Sequence, residues 1–494
     1  MSSTIDPSSI ATSTIGGTNY AMLIGGSWRE ASDGATFAVT NPATGELLSH
    51  VPDGGTTEIN AAIDAAAEAL PNWAATPAPA RAAILRRAAS LMLERQERLA
   101  TIMTLEQGKP LNEARGEIVY AASFLNWFAG EAERIYGMTI PATQANKRLL
   151  VLRQPVGVCA LITPWNFPSA MITRKLGPAL AAGCTVIAKP AEQTPLSALE
   201  LGQLFLEAGL PPGCFNLVTC QDPRNFSELI FADERVRKVS FTGSTEVGKL
   251  LIRQSAATVK RLSLELGGNA PFIVFADADL DAAVRGALTS KFRNAGQTCV
   301  CANRIFVQRA IYAPFAERFT AQVAALQVGN GLAPETVIGP LIDAQARAKV
   351  EQHVADALAA GARLLTGGGP SGASGAGNFW TPTVLADAHA SMLVAREETF
   401  GPVAPLIAFD DEAEVVAMAN HTPFGLAAYV YTRDIGRVWR VAEGLEYGII
   451  GVNDPLPATA QAPFGGVKQS GLGREGGPSG IDEYLEEKYI AMGI

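Results

Sequence analysis

"LLVLRQPVGVCALITPWNFPSAMITRKLGPALAAGCTVIAKP", residues 149–190, reads as strand, loop, helix and strand in succession. "LLVLRQPVGVCALITP" (149–164) is extended and apolar. "SAMITRKLGPALAAGC" (169–184) has helical texture, and "TVIAKP" (185–190) is a short strand whose apolar run predicts burial. "PLSALELGQLFLEAG" (195–209) is helical again, with Gly209 as its stop. Further strands follow in "CFNLVT", "VRKVSFTG", "RLSLEL" and "APFIVF", with helical segments between several of them. Alternation of this kind argues for a parallel sheet covered on both faces. It predicts an α/β class and a doubly wound, nucleotide-binding domain.

Working outward, residues 56–135 carry Ala-rich helical patterns, with apolar residues three and four apart. Beyond "RNAGQTCVCANR" (293–304) the alternation resumes in "NRIFVQ", "ARLLTGG", "GPVAPLIAF", "GLAAYVYT" and "YGIIGVN", enough for a second α/β domain. The final "DEYLEEKYIAMGI" is strand-like and so late that it is expected to pair outside its own domain. "GGGPSGASGAG" (367–377) reads as a surface loop, and residues 1–18, rich in Ser and Thr, as a loose tail. The resulting division is a first domain of 19–138 and 156–266, a second of 267–453, and accessory strands in 139–155 and 478–494.

A chain of 494 residues is too long for one core. Its net charge of -9, with no basic run, argues against nucleic acid or an anionic membrane as partner. No apolar stretch reaches the ~20 residues of a membrane span, and the N-terminus lacks a secretory pattern, so a cytoplasmic location is expected. Four cysteines (Cys159, Cys184, Cys214, Cys220) lie among apolar residues, as small core side chains do. His50, His353, His389 and His421 are far apart in sequence. No metal site is expected, and a base other than histidine is.

Four stretches carry chemistry. Cys299 follows "NAGQT", a turn-prone run that leaves a thiol accessible, with Cys301 beside it. "TPWNFP" (163–168) is a rigid loop that can aim the Asn166 amide at an oxyanion. "LELGGNAP" (264–271) ends a strand with Glu265, followed by two glycines that allow close backbone approach. "FTGSTEVGK" (241–249) is a strand, a Gly turn and a helix whose N-terminus can receive a phosphate, although it is no GxGxxG fingerprint. Each stretch alone has an ordinary structural reading: a core cysteine, a turn, a surface carboxylate, a loop.

Together, in order, "PWNFP", "KPAEQTP", "FTGSTEVG", "LELGG", "GQTC" and "EETFGP" resemble the aldehyde dehydrogenase superfamily, over nearly the whole chain from "NPATGE" to "PFGGVKQSGLGREGG". The nearest resemblance, through "SKFRNAGQTCVCANR", is to succinate-semialdehyde dehydrogenases. It implies two doubly wound α/β domains, one binding NAD and one catalytic, plus a small β extension for a homodimer or homotetramer. By the same resemblance Cys299 is the nucleophile, Asn166 with the Cys299 N–H the oxyanion hole, Glu265 the general base, and Lys175 with Glu475 a proton relay. Lys189 and Glu192 would contact the adenosine ribose, Ser244 the pyrophosphate, and Glu398 and Phe400 the nicotinamide side. Thr163, Trp165 and Gly243 would also contact the cofactor. Arg174, Arg293 and Phe464 would hold the substrate, and Cys301 is either a neighbour of Cys299 with no catalytic role or, as in some of the resembling enzymes, its redox partner.

These residue types suit an oxidation in which a thiolate attacks an aldehyde, hydride departs, and a carboxylate-activated water hydrolyses the thioester. One alternative passes the acyl group to coenzyme A, for which Glu265 as base would be idle. Another is a non-catalytic protein on the same scaffold. Two arginines near the nucleophile select a small anionic aldehyde. Succinate semialdehyde is the first choice, with glutarate semialdehyde, 2-oxoglutarate semialdehyde or a sulfonated aldehyde as alternatives. The resembling enzymes also use a serine shortly before "APFGG"; here Ala458 takes that place, next to Thr459. Glu192 would clash with a 2′-phosphate, which predicts NAD over NADP.

Overall fold

The computed structural model describes residues 20–372 and 377–494. The expected tail 1–18 and residues 373–376 of the glycine-rich loop lie outside them. Two sheets organise the molecule. The first has eight strands, in the order Gly471–Leu472, Arg261–Glu265, Val236–Thr242, Val158–Ile162, Thr185–Lys189, Phe215–Leu217, Met22–Ile24 and Ser27–Arg29. Its five central strands are parallel. The edges depart from the expected all-parallel sheet: a hairpin (Met22–Arg29) and the short Gly471–Leu472 both add antiparallel. Short antiparallel edges of this kind leave little open ladder for another chain.

The second sheet has seven strands, in the order Arg363–Thr366, Thr383–Ala386, Val403–Phe409, Ala302–Gln308, Ala270–Val274, Ala427–Tyr431 and Ile449–Val452. All its pairs are parallel except the first. Thr185–Lys189, Ala270–Val274 and Ala427–Tyr431 are buried at every residue, so their side chains point into apolar layers on both faces. Each fully buried Val, Leu or Ile there contributes roughly 1.5–3 kcal/mol. The Ala-rich region forms four helices, Thr56–Ala75, Ala78–Glu94, Gln96–Gln107 and Leu111–Ala132, and belongs mostly to the first core.

The apolar run 149–164 is two strands rather than one. Lys147–Pro155 lies in a third, three-stranded sheet, between Met138–Ile140 and Leu485–Gly493. The chain breaks at Gly157 (φ 128) and enters the first sheet as Val158–Ile162. The late strand pairs residue for residue with Lys147–Pro155, from Leu485↔Pro155 to Gly493↔Lys147.

Candidate active site

The position of the site follows from strand order. In the first sheet, chain order runs outward from Val158–Ile162 through Thr185–Lys189 on one side and continues at Val236–Thr242 on the other. The carboxyl ends of Val158–Ile162 and Val236–Thr242 therefore diverge into a crevice, the usual ligand position of an open α/β sheet. A cavity of ≈ 660 Å³ opens there, lined by Pro164, Trp165 and Asn166 from one strand end and Thr242, Gly243 and Ser244 from the other. Its far wall, Cys299, Glu398, Thr399 and Phe400, belongs to the second domain.

The crossing between the domains is Leu266–Asn269, and here Gly268 is required and Gly267 is closely packed. A Cβ on Gly268 would stand 2.4 Å from the Cys299 carbonyl oxygen, and one on Gly267 3.0 Å from Glu398 Oε2. Gly268 N–H donates to Glu398 Oε1 at 3.0 Å, which ties the crossing to the loop carrying Glu398 and Phe400. Phe400 has φ 55, and its ring meets Trp165 edge to face at 5.6 Å.

Cys299 sits after a strained turn: Asn294 (φ 52), Ala295 (φ 56) and Gly296 (φ 76) are all left-handed. Non-glycine residues in that region persist only where their surroundings hold them. Asn166 Nδ2 donates to the Gln297 carbonyl at 3.0 Å, so the amide of one domain is bound to the cysteine loop of the other. Burial pushes the Cys299 thiol up to about 12; Glu398 and Glu265 add to this and Arg174 opposes it. Cys301 is buried off the cavity wall, its Sγ 3.6 Å from Lys291 Nζ and 3.3 Å from the Gly296 carbonyl.

Glu265, at the end of its strand, is 3% exposed and not in the cavity lining, and its Oε2 has no hydrogen-bond partner among the described residues. Burial, with Glu475 adding to it, holds its carboxyl well above the usual range, while Arg174, Lys175 and Arg474 oppose the rise. Glu475 goes the other way. Burial works against its charge, but Lys175 and Arg174 hold the carboxyl low. It pairs with Lys175 Nζ through Oε1 and with Arg174 Nε through Oε2, the latter at 2.5 Å. Two carboxyls in one buried network are thus shifted in opposite directions, as acid–base pairs commonly are.

Arg174 is fully buried on helix Ala170–Ala182, its guanidinium 4.0 Å over the Phe464 ring, and its Nη2 has no hydrogen-bond partner among the described residues. Arg293 lies 5.2 Å over Phe167. Burial raises the Tyr120 phenol, and Arg174 and Arg293 both act to lower it, so both cations lie in its neighbourhood. Thr459, beside Ala458, is exposed.

The crevice fits a dinucleotide on its own features. Ser244 caps helix Thr245–Ser255, whose N-terminus faces the cavity, and Thr242 Oγ1 is buried on the wall without a partner. Thr163 N–H donates to the Lys189 carbonyl at 3.2 Å, so the strand carrying Lys189 ends beside the crevice. Lys189 Nζ pairs with Glu192 at 3.1 Å. Helix Ala344–Ala359 supplies Gln345, Lys349 and Gln352 to the same wall, Lys349 as its one cation among the described residues. The sequence reading missed these three and Thr242, since a polar face on an Ala-rich helix carries no motif.

A model of the Aldehyde dehydrogenase family matches residues 28–490. The chain belongs to that family. It is 59% identical over 472 residues to an Escherichia coli (strain K12) protein named succinate-semialdehyde dehydrogenase (NADP(+)) GabD, covering 96% of this chain and 97% of that one. It is 58% identical over 471 residues to a Pseudomonas putida (strain KT2440) glutarate-semialdehyde dehydrogenase, covering 95% and 97%. The crystal structure of a Burkholderia pseudomallei succinate-semialdehyde dehydrogenase superposes with a TM-score of 0.95 at 55% identity, covering 98% of this chain and 99% of that one. The two-domain α/β architecture is thus that of an aldehyde dehydrogenase, and the activity of the chain is aldehyde oxidation with NAD or NADP.

Proposed function

We propose that this aldehyde dehydrogenase oxidises a small aldehyde with a remote anionic group, succinate semialdehyde first, with NAD as cofactor. The observation that carries the substrate reading is the buried Arg174, whose Nη2 has no hydrogen-bond partner among the described residues, with Arg293 as a second cation near Tyr120. A guanidinium left with a free donor suits a carboxylate.

Cys299 Sγ, its thiol proton released to solvent, attacks the aldehyde carbon as the thiolate, and the oxyanion takes hydrogen bonds from Asn166 Nδ2 and the Cys299 N–H. Such a donor is typically worth ~3–4 kcal/mol in the transition state. Lys189 and Glu192 would hold the adenosine ribose, Gly243 and Ser244 the pyrophosphate, and Thr163, Trp165, Glu398 and Phe400 the nicotinamide side. When bound, the cofactor supplies the hydride acceptor. The thioester left on Cys299 is hydrolysed by water that gives its proton to Glu265, and Lys175 with Glu475 carries that proton away. Glu265 as a base favours water over coenzyme A as acceptor. The Glu192 carboxylate disfavours a 2′-phosphate, so NAD is preferred here although the Escherichia coli relative is named for NADP(+). Cys301 is a redox partner of Cys299; if Cys301→Ala loses and regains activity under peroxide and dithiothreitol just as wild type does, that role is wrong.

Residues 19–138 with 156–266 would bind the cofactor and 267–453 carry the catalytic cysteine, while 139–155 with 478–494 assemble a cytoplasmic homodimer or homotetramer. The test is a panel of initial rates with NAD and NADP. Succinate, glutarate and 2-oxoglutarate semialdehydes and a sulfonated aldehyde should all exceed propanal in kcat/KM, and NAD should exceed NADP. Arg174→Ala and Arg293→Ala should raise KM for the anionic substrates far more than for propanal. A wild type that prefers propanal or benzaldehyde to every anionic aldehyde contradicts the substrate reading. Equal kcat/KM for the two cofactors contradicts the NAD reading.

A further inference from the structure

Asn166 and Cys299 come from different domains, so something must set the distance between them. The first turns of helix Leu111–Ala132, with Lys109 just before it, lie under both loops. Glu117 Oε1 accepts the N–H groups of Ser169 and Ala170 at 3.0 and 3.2 Å, immediately past the Asn166 loop. Its Oε2 receives Lys109 Nζ at 2.5 Å, and the same ammonium donates to the Asn166 carbonyl at 2.8 Å. One turn earlier on the helix, Glu113 Oε2 accepts Asn294 N–H at 2.8 Å, at the first left-handed residue of the cysteine loop. Asn294 Nδ2 returns to the Asn166 carbonyl at 2.9 Å and closes the circuit.

The Lys109 and Glu117 side chains are 0% and 1% exposed. Burying such a pair is a poor source of stability, because desolvation offsets the Coulomb gain. What the pair does impose is geometry. The Asn166 carbonyl takes two donors, which fixes the plane of its peptide, and the strained Asn294 turn is held by Glu113.

We propose that Lys109, Glu113 and Glu117 are positioning residues that fix the Asn166 side-chain amide relative to the Cys299 thiol across the domain boundary. This rests on the reading of Asn166 as the oxyanion donor. None of the three lines the cavity itself. They act on the rate through Asn166 and the cysteine loop, as misplacement of a reacting group by about 1 Å costs roughly 10²-fold.

The test is a double-mutant cycle on the full-length enzyme, with steady-state kinetics on the best aldehyde of the panel and thermal unfolding of every variant. Lys109→Met should lower kcat by about 10²-fold with KM changed by less than about threefold. In an Asn166→Ala background the same change should cost less than about twofold, because the group it positions is gone. Glu113→Gln keeps an acceptor for Asn294 N–H, so it should lose less than Glu113→Ala, and it serves as the second cycle where Lys109→Met does not fold. Equal, additive losses in both backgrounds, or an unchanged kcat in the single variants, overturn the proposal. An Asn166→Ala enzyme with wild-type kcat instead overturns the donor reading itself, so the two failures are distinct.

Discussion

Glu265 and Glu475 share one buried network, yet their carboxyls are driven in opposite directions: Glu475 has Lys175 and Arg174 as partners, and Glu265 Oε2 has none. The consequence is a pH limb. A group that accepts a proton from water must be ionised, and burial holds the Glu265 carboxyl well above the ordinary ~4.3. Thioester hydrolysis should therefore fall as pH drops through that raised value, at a pH where a solvated glutamate would still be fully ionised. Single-turnover release of the acid, followed from pH 5 to 9, measures it. Wild type should show the limb and Glu265→Gln should be slow throughout; a profile that Glu265→Gln leaves unchanged contradicts the base. At this scale the sequence was most legible where chemistry sits in short loops at strand ends. "NAGQTC", "PWNFP" and "LELGG" each use small or rigid residues for a visible reason, and one cavity is lined by both Asn166 and Cys299, while the buried Glu265 is not in its lining. Lys109 and Glu117 were not legible. Their role is a contact 57 and 52 residues away in the chain, with nothing local to mark it.

Among elements, the clearest coupling is between helix Gln96–Gln107 and helix Pro195–Glu207. Glu106, near the end of the first, accepts the Leu196 and Ser197 N–H groups at 2.8 Å each and so satisfies the N-terminus of the second. Burial nonetheless pushes its carboxyl up to about 8, against the pull of those two bonds. The folded value then lies above the unfolded ~4.3, so between those two pH values the folded chain holds a proton that the unfolded chain has lost. The contribution of Glu106 to stability is present in full below about pH 4.3 and is lost as pH rises through 8. Glu106→Gln removes the titration. The drop in Tm from pH 5 to pH 9 should be smaller in the variant than in wild type, and parallel Tm–pH curves would refute the assignment. Element types were readable along most of the chain, because alternation and Ala-rich periodicity are local. The break inside 149–164 was not: its apolar run is continuous, and only the left-handed Gly157 separates strands of two different sheets.

At the scale of the molecule, the three-stranded sheet pairs with neither large sheet and leaves apolar side chains in solvent. Met138, Ile140 and Tyr489 (51%, 41% and 59% exposed) share one face by register, and Leu152 and Met492 lie on the other. A sheet so small and so apolar is expected to be covered by another copy of the chain. Ile140→Asp with Tyr489→Asp should yield a smaller species by light scattering with the fold retained. A wild-type chain that is monomeric at micromolar concentration would contradict the assembly. The same scale holds the central claim, since the thiol of one domain and the amide of the other meet only when both are folded and docked. That claim is a covalent acyl intermediate on Cys299, hydrolysed with Glu265. The most direct measurement is mass spectrometry of Glu265→Gln mixed with succinate semialdehyde and NAD, quenched in acid and digested. A succinyl group should appear on the peptide containing Cys299, at Cys299 and not at Cys301, and only when NAD is present. An unmodified Cys299 while NADH forms at the stoichiometry of the enzyme would contradict it.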